Sequence, residues 1–284
     1  MGRLEGGLKG RTGHPPVGRP ARAAISPRPR GRGLGLLAAL ALMLAAPGIA
    51  QAEQMQSVAY AIDYPSTDSR LNAGAKVTST VRVWDTTGAK PLALRHLRLP
   101  FPRGGRVNGG LFKTCDMEEL EHEGEEACPK GSKVGTGKAT ADARPVVTVP
   151  VDAKLTLFNG EPAGGNPTIL IYGEVDLGTY SELAVTVRAV ARKQRKGPYG
   201  YVLDIEIPPL STLPGQPPAA LTFARVTTLD RTARRRGRTR HYIEAPLLCT
   251  GTFFMLDGAQ FTYEGGRTVD ARETFTIGRT IPCP

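Results

Sequence analysis

Apolar and polar residues alternate with a period of two along most of the chain after residue 53. This is the pattern of β-strands that bury one face. Val58, Tyr60, Ile62 and Tyr64 alternate with small or polar residues. The same alternation recurs in the segments 77–83, 92–99, 146–158, 168–172, 183–191, 199–207, 220–229, 242–245, 250–256, 260–263 and 273–277. Val, Ile, Thr, Tyr and Phe are frequent in these segments, and Gly, Pro, Asn and Asp separate them. The pattern predicts about ten to twelve short strands.

Helical periodicity is confined to residues 116–122, which are long enough for one or two turns. Many short strands with frequent turns indicate an all-β fold, and we expect an antiparallel β-sandwich, with a jelly roll as one form of it. The chain has no internal repeat and no linker-like segment between two cores. We therefore expect one domain over residues 53–284.

The first 52 residues have the organisation of an export signal. A basic stretch precedes an uncharged apolar run of 13 residues from Leu34 to Ala46, and Ala50-Gln51-Ala52 supplies a small-x-small cleavage site. A run of this length spans about 20 Å as a helix, which is less than the hydrocarbon core of a membrane. We expect cleavage before Glu53 and a secreted, extracellular protein without a membrane span; the alternative is an uncleaved anchor.

The charge distribution argues against a dedicated nucleic-acid binder. The chain carries 37 Lys and Arg against 26 Asp and Glu, a net charge of +11. Eight of the basic residues and one acidic residue lie in the first 52, which leaves 29 against 25 in the remainder. Most of the excess would be lost with the leader. The 34 Gly and 24 Pro have no collagen-like period, and the apolar content is too high for a disordered chain.

Four cysteines follow the leader: Cys115, Cys128, Cys249 and Cys283. An even number in an exported chain indicates disulfides. Three pairings are possible, and the shorter loops favour Cys115–Cys128 with Cys249–Cys283. A zinc site is the alternative, but a CxxC spacing is absent and histidine is scarce. The acidic loop between Cys115 and Cys128 lacks the spacing of a calcium loop. We expect no metal and no cofactor.

Two basic segments are predicted to share one end of the sheet. If the strands at 183–191, 199–207, 220–229 and 242–245 run successively antiparallel, the first and third turns lie at the same pole and the proline-rich segment 208–218 lies at the other. Clustered cations at this pole suit phosphate, sulfate or carboxylate groups of envelope polymers or lipid head groups. The alternative is a solvated hairpin tip. The candidate polyanion-binding residues are Arg192, Lys193, Arg195, Lys196, Arg231, Arg234, Arg235, Arg236, Arg238 and Arg240.

Signals for catalysis are weak. The chain contains no G-x-S-x-G elbow and no S-x-x-K motif. His96, His122 and His241 are the histidines after the leader, and a hydrolase would need one of them beside a serine or a carboxylate. Tyr199 and Tyr201 occupy one face of a strand and could stack against a sugar ring if both were exposed.

The segment 128–137, CPKGSKVGTG, resembles a motif of secreted proteins of high-GC Gram-positive bacteria, in which Cys-Pro leads through Ser-x-Val-Gly into a strand. Segments 153–160, 167–173, 199–210, 245–251 and 280–284 are similar to the same group in the same order. The resemblance covers residues 92–284 and implies an exported β-sandwich, without an activity or functional residues to carry over.

Taken together, these features predict an exported, non-catalytic binding or structural protein of the cell exterior that engages anionic envelope polymers through its Arg-rich pole. The alternatives are a secreted hydrolase on a β scaffold and a carbohydrate-binding module.

Overall fold

The computed structural model describes residues 53–65, 72–177, 180–197, 199–210, 215–246 and 254–277. The strands in chain order are β1 (Gln54–Asp63), β2 (Asn72–Gly74), β3 (Lys76–Asp85), β4 (Leu94–Pro102), β5 (Arg106–Val107), β6 (Lys133–Asp142), β7 (Val151–Ala163), β8 (Asn166–Leu177), β9 (Tyr180–Lys193), β10 (Tyr199–Glu206), β11 (Ala220–Thr228), β12 (Thr232–Arg235), β13 (Arg238–His241), β14 (Ile243–Pro246), β15 (Phe254–Tyr263) and β16 (Thr268–Ile277). The helix α1 (Met117–Glu123) and three short 3-10 turns complete the described elements. The prediction of an all-β protein is confirmed, as is the short helix.

Eleven strands form one closed barrel in the order β1-β16-β15-β4-β10-β9-β8-β7-β6-β11-β3, and β3 pairs back with β1. All neighbours are antiparallel except β1 and β16, which run parallel. This closed arrangement replaces the two packed sheets that we expected. The period-two pattern is the same in both architectures, because each buries one face of every strand. Closure depends on the pairing of Val58 with Glu273, which no local pattern reveals.

A small sheet in the order β2-β14-β5 lies at one end of the barrel. We call this end the cap end and the small sheet the cap sheet. β4, β9 and β11 terminate at the cap end, and the connections that carry β2, β5 and β14 leave the barrel there. At the opposite end, the proline end, the segment 208–218 connects β10 to β11. The cap sheet therefore covers only one mouth of the barrel.

The alternation pattern assigned no strand to β6, although the motif at 128–137 was expected to lead into one. A Cβ atom at Gly135 would lie 2.8 Å from the carbonyl oxygen of Thr227, and one at Gly137 would lie 2.4 Å from that of Arg225. Both distances are below any normal contact, so β11 can pack this closely only on glycine. The glycines therefore serve strand packing within the barrel.

One disulfide, Cys115–Cys128, is confirmed. It lies beside α1 on the outer face of the barrel, where Cys115 and Leu120 pack against Phe158 and Leu170 in a satellite core. Asp116 caps α1 by accepting hydrogen bonds from two backbone N–H groups of its first turn. Cys249 and Cys283 lie outside the described residues. None of the described helices has the length and apolar character needed to cross a bilayer.

The barrel interior is filled unequally. On the wall formed by β1, β15 and β16, the large side chains of Tyr60, Phe261, Tyr263 and Glu273 are almost fully buried. The opposite wall, from β6 to β10, presents mainly alanine and branched aliphatic residues to the interior. Space is therefore left on that side.

Glu273 is a fully buried carboxyl group within the aromatic wall. The Tyr60 hydroxyl donates to its Oε1 at 3.1 Å, and its Oε2 has no hydrogen-bond partner among the described residues. Burial raises the pKa of Glu273 from 4.5 to about 8, and the hydrogen bond from Tyr60 opposes this rise with a smaller effect. The carboxyl group is therefore largely protonated at neutral pH.

Because folded Glu273 holds its proton more tightly than the unfolded chain does, the free energy of unfolding falls as pH rises from about 4.5 to about 8. The slope from this group is at most about 1.4 kcal/mol per pH unit. Glu273→Gln should remove that slope. Its free energy of unfolding, relative to that of the parent, should therefore rise by about 1 kcal/mol from pH 6 to pH 7, measured by urea unfolding. Glu206→Gln is the matched control on an exposed strand position and should keep the slope of the parent. Equal slopes in the parent and Glu273→Gln would contradict an ionisable buried carboxyl.

Candidate ligand-binding cavity

A cavity of about 290 Å³ lies inside the barrel, against the wall formed by β6 to β10. Ile171, Val187 and Leu203 face it from three neighbouring strands and are only half-buried, although they point into the barrel. The part of each of these side chains that stays accessible faces the cavity.

The cavity arises from strand number and side-chain size together. A barrel of eight strands has an interior that side chains just fill, and eleven strands enclose a wider one. Many inward positions here carry the smallest side chains: Ala139, Ala153, Gly173, Ala189 and Ala191. A wider barrel lined by smaller residues leaves room for a ligand.

Polarity varies along the cavity. The polar residues of its lining all come from strand positions near the cap end or from the cap sheet: Ser79, Arg106, Tyr201, Thr228 and Glu244. At the proline end the lining is apolar: Ala141, Val151, Val175, Ile207, Leu210 and Leu221. The cavity surface is thus almost entirely apolar, and its few residues with polar side chains lie toward the cap end.

Two of the five polar residues are engaged within the protein. Glu244 accepts a hydrogen bond from Arg240 Nη2 at 2.8 Å, and Thr228 Oγ1 accepts one from the Val77 N–H at 2.9 Å. By contrast, the side chains of Arg106, Tyr201 and Ser79 make no hydrogen bond or ion pair with any described residue. Arg106 shares a face of the cap sheet with Gly74 and Glu244, whereas Val107 and Ile243 on the other face pack against the barrel core, so the Arg106 side chain points away from the cavity. Among the described lining residues, Tyr201 and Ser79 are therefore the ones on inward strand positions whose polar side chains have no partner.

Both basic segments lie at the cap end, and the proline-rich segment lies at the other, as the antiparallel phase predicted. The expectation that the strands at 199–207 and 220–229 are neighbours in the sheet was wrong. β11 pairs with β3 and β6, whereas β10 pairs with β4 and β9, so β6, β7 and β8 separate the two basic segments around the barrel. The second segment is a hairpin of β12 and β13 whose turn residues Arg236 and Gly237 both have positive φ, as a two-residue hairpin turn requires.

Three of the ten candidate basic residues are held within the protein. Arg192 Nε donates to Asp204 Oδ2 at 2.7 Å, Arg231 Nε donates to the Lys133 carbonyl at 3.0 Å, and Arg240 pairs with Glu244. The other seven are exposed, and their side chains have no partner among the described residues: Lys193, Arg195, Lys196, Arg234, Arg235, Arg236 and Arg238.

Two histidines contact carboxylates, but neither lines the cavity. His96 Nε2 lies 2.5 Å from Asp204 Oδ1, and His241 Nδ1 lies 2.7 Å from Asp230 Oδ1. Burial alone would raise the pKa of Asp204, but hydrogen bonds from Arg192 and His96 outweigh it and lower the pKa. No serine or cysteine among the described residues hydrogen-bonds His96. His122 is exposed on α1. The two histidine–carboxylate contacts are hydrogen bonds that lie outside the cavity.

The tyrosine pair does not form an exposed platform. Tyr199 and Tyr201 are both half-buried, and the pairing of β10 with β4 shifts register between them. Tyr201 faces the cavity. It therefore contributes to the interior site, which the sequence analysis did not anticipate.

Ser79, which lies on an inward position of β3, was not among the predicted site residues either. The signal that could have found the cavity is the small size of alternate residues in β7 to β9, but recognising it requires knowing which strands face one another. Among the residues that the structure describes, no group of three or more His, Cys, Asp or Glu is placed to hold a metal ion. In comparisons with protein-family models, curated proteins and solved structures, the chain has no match.

Proposed function

We propose that this chain binds a small apolar ligand inside its barrel. The observation that carries the proposal is the apolar cavity of about 290 Å³ inside the barrel, whose few residues with polar side chains lie toward one end. Small-molecule sites have this composition: apolar walls with a few placed polar groups. The proposal keeps the expectation of a non-catalytic binding protein and moves the site from the surface to the interior.

The energetics favour a functional cavity over a packing defect. An enclosed apolar cavity costs about 24 cal/mol per Å³ in core-truncation series, which sets an upper limit on the order of 7 kcal/mol for this partly open space. That is comparable to the whole stability of an ordinary domain, roughly 5–15 kcal/mol. Side chains one or two carbons larger at the alanine positions would remove the cost. A site that avoids such side chains is better explained by an occupant.

The test is a titration with N-phenyl-1-naphthylamine, an uncharged probe that fluoresces in apolar surroundings. We expect a saturable increase in fluorescence with one site per chain. Emission that rises linearly, or stays at the level of the probe in buffer, would refute interior binding.

We further propose that the chain is exported, with its leader ending at residue 52, and that Cys249 and Cys283 form a second disulfide. The confirmed Cys115–Cys128 bond supports an oxidising compartment. Intact mass of the secreted chain should begin at Glu53 and be unchanged by a thiol-alkylating reagent. Uptake of two alkyl groups would contradict the second bond.

A second candidate function is binding of an anionic envelope polymer at the cap end, since seven exposed cations at that end have no described partner. On a column carrying double-stranded DNA as a generic polyanion, six contacts predict a slope of about −5 for the logarithm of retention against that of salt concentration. Replacing Arg234, Arg235 and Arg236 with serine should flatten the slope. Retention that does not change with salt concentration would exclude polyanion binding at the cap end.

A further inference from the structure

The exposed apolar side chains lie at one end of the barrel. Among the described residues, the large apolar side chains that stay exposed are Met55, Trp84, Leu92 and Val149. β1 begins and β3 ends at the proline end, where Met55 and Trp84 pair across the two strands. Leu92 precedes β4, and its backbone N–H donates to Gln54 Oε1 at 2.6 Å. Val149 lies in the connection from β6 to β7 at the same end. We call these four side chains the apolar rim.

The apolar rim continues into the cavity lining. In the connection from β6 to β7, Val149 is 64% exposed, whereas Val147 is partly buried and packs in a small core with Val151, Ala219 and Leu210. Val151 and Leu210 also line the cavity. This small core lies where the two connections at the proline end meet the strand ends, and it is separate from the main core. Apolar surface therefore extends from the outside of the proline end to the interior site.

The charges at the two ends differ. At the cap end, seven exposed cations have no described partner. At the proline end, two arginines are held in ion pairs: Arg95 with Glu264 and Arg144 with Asp142. Hydrogen bonds from Thr87 lower the pKa of Asp85, which follows Trp84, so this carboxylate is negative at neutral pH. With paired arginines and a carboxylate beside Trp84, the proline end suits an apolar surface without net charge better than an anionic one.

We infer that the proline end docks on a lipid bilayer, with the apolar rim inserted at its surface. The four side chains come from four separate segments, and a fluid bilayer accommodates separate side chains without the matched shape that a protein partner needs. An indole ring favours the boundary between lipid and water because its body is apolar and its N–H is polar. Docking goes beyond the proposed function, and it places the apolar end of the cavity beside a reservoir of apolar molecules.

Trp84 is the only tryptophan in the sequence, so its fluorescence reports directly on the apolar rim. The purified chain would be mixed with vesicles of phosphatidylcholine, and with vesicles of the same lipid brominated on its acyl chains, which quenches an indole that reaches them. We expect the Trp84 emission to shift to shorter wavelength and the quenching by brominated lipid to saturate with lipid concentration. The chain should also sediment with the vesicles.

Val149→Ser and Met55→Ser should each lower the partition of the chain into phosphatidylcholine vesicles at least threefold, because each removes an apolar side chain from the rim. Thr148→Ser and Ala59→Ser are the matched controls at exposed positions of the same two segments. Both controls should partition as the parent does. Equal partition of all four variants and the parent would show that the rim does not contact lipid.

Three other results would overturn the inference. The first is an absence of binding to phosphatidylcholine. The second is binding that requires phosphatidylglycerol and is lost when Arg234, Arg235 and Arg236 are replaced with serine, which would place the docking surface at the cap end. The third is a Trp84 emission shift that grows with protein concentration without lipid, together with dimers in sedimentation velocity, which would make the rim an interface between copies of this chain. Each result leaves the interior site to be judged by the probe titration, which contains no vesicles.

Discussion

Replacing Val187 with tryptophan is expected to lower the affinity for N-phenyl-1-naphthylamine by at least tenfold while the barrel stays folded. Val187 points into the cavity from the middle of β9 and is only half-buried there. An indole at this position occupies the space that the ligand needs. Filling an existing cavity adds contacts and avoids the overpacking that larger side chains cause in a tight core.

Ala184→Trp is the matched control for this change. Ala184 lies on the same strand but is exposed on the outer face, so the same indole should leave probe affinity within twofold of the parent. Titrations would excite the probe outside the tryptophan band, and thermal unfolding would confirm that each variant is folded. Val187→Phe provides a smaller filling group if the indole proves too large. Parental affinity in a folded Val187 variant would place the probe outside the barrel.

Replacing Asn159 with leucine should cost about 4 kcal/mol of stability, since each buried polar group left without a partner costs roughly 1–3 kcal/mol. Asn159 is almost fully buried on β7. Its Nδ2 donates to the carbonyls of Gly109 at 3.1 Å and Lys113 at 3.0 Å, and its Oδ1 accepts from the Tyr242 hydroxyl at 3.2 Å. One side chain thus joins the barrel to two segments that flank the cap sheet.

Urea unfolding of Asn159→Leu and Asn159→Asp would measure this effect. The aspartate keeps the shape but replaces the amide donor with an acceptor facing carbonyl oxygens, so it should be at least as damaging as leucine. Asn108→Ala removes a single hydrogen bond at the same end, from Nδ2 to the His241 carbonyl at 2.7 Å, and should cost about 1 kcal/mol. A similar loss in the free energy of unfolding for Asn159→Leu and Asn108→Ala would contradict the prediction that Asn159 joins the barrel to both segments.

The strands were predictable because alternation is local, and the closed barrel was not because closure is long-range. Segment 183–191 predicted β9 and segment 220–229 predicted β11 within a few residues. Their neighbours could not be assigned, since β11 lies between β3 and β6 and not beside β10. The alternation pattern missed β6, which the motif resemblance alone indicated, because glycine disfavours strands in isolation, whereas here Gly135 and Gly137 allow β11 to approach closely.

The candidate site shows the same division. Lys193 was selected for its charge, and the barrel gives it a further role by placing it at the inward rim beside Tyr201. Tyr201 was selected as one of an exposed pair, whereas the barrel leaves it half-buried and facing the cavity. Chemistry of this kind is set by which strands enclose a space, and sequence spacing does not reveal that.

The most direct test is to locate a ligand by X-ray diffraction. Crystals grown with 1-bromododecane would be measured at the bromine absorption edge, so that anomalous scattering marks one end of the chain. We predict a single bromine peak inside the barrel, within van der Waals distance of side chains on β8, β9 or β10. A peak confined to the outer surface, or an interior without density beside a fully occupied external site, would contradict a ligand-binding barrel.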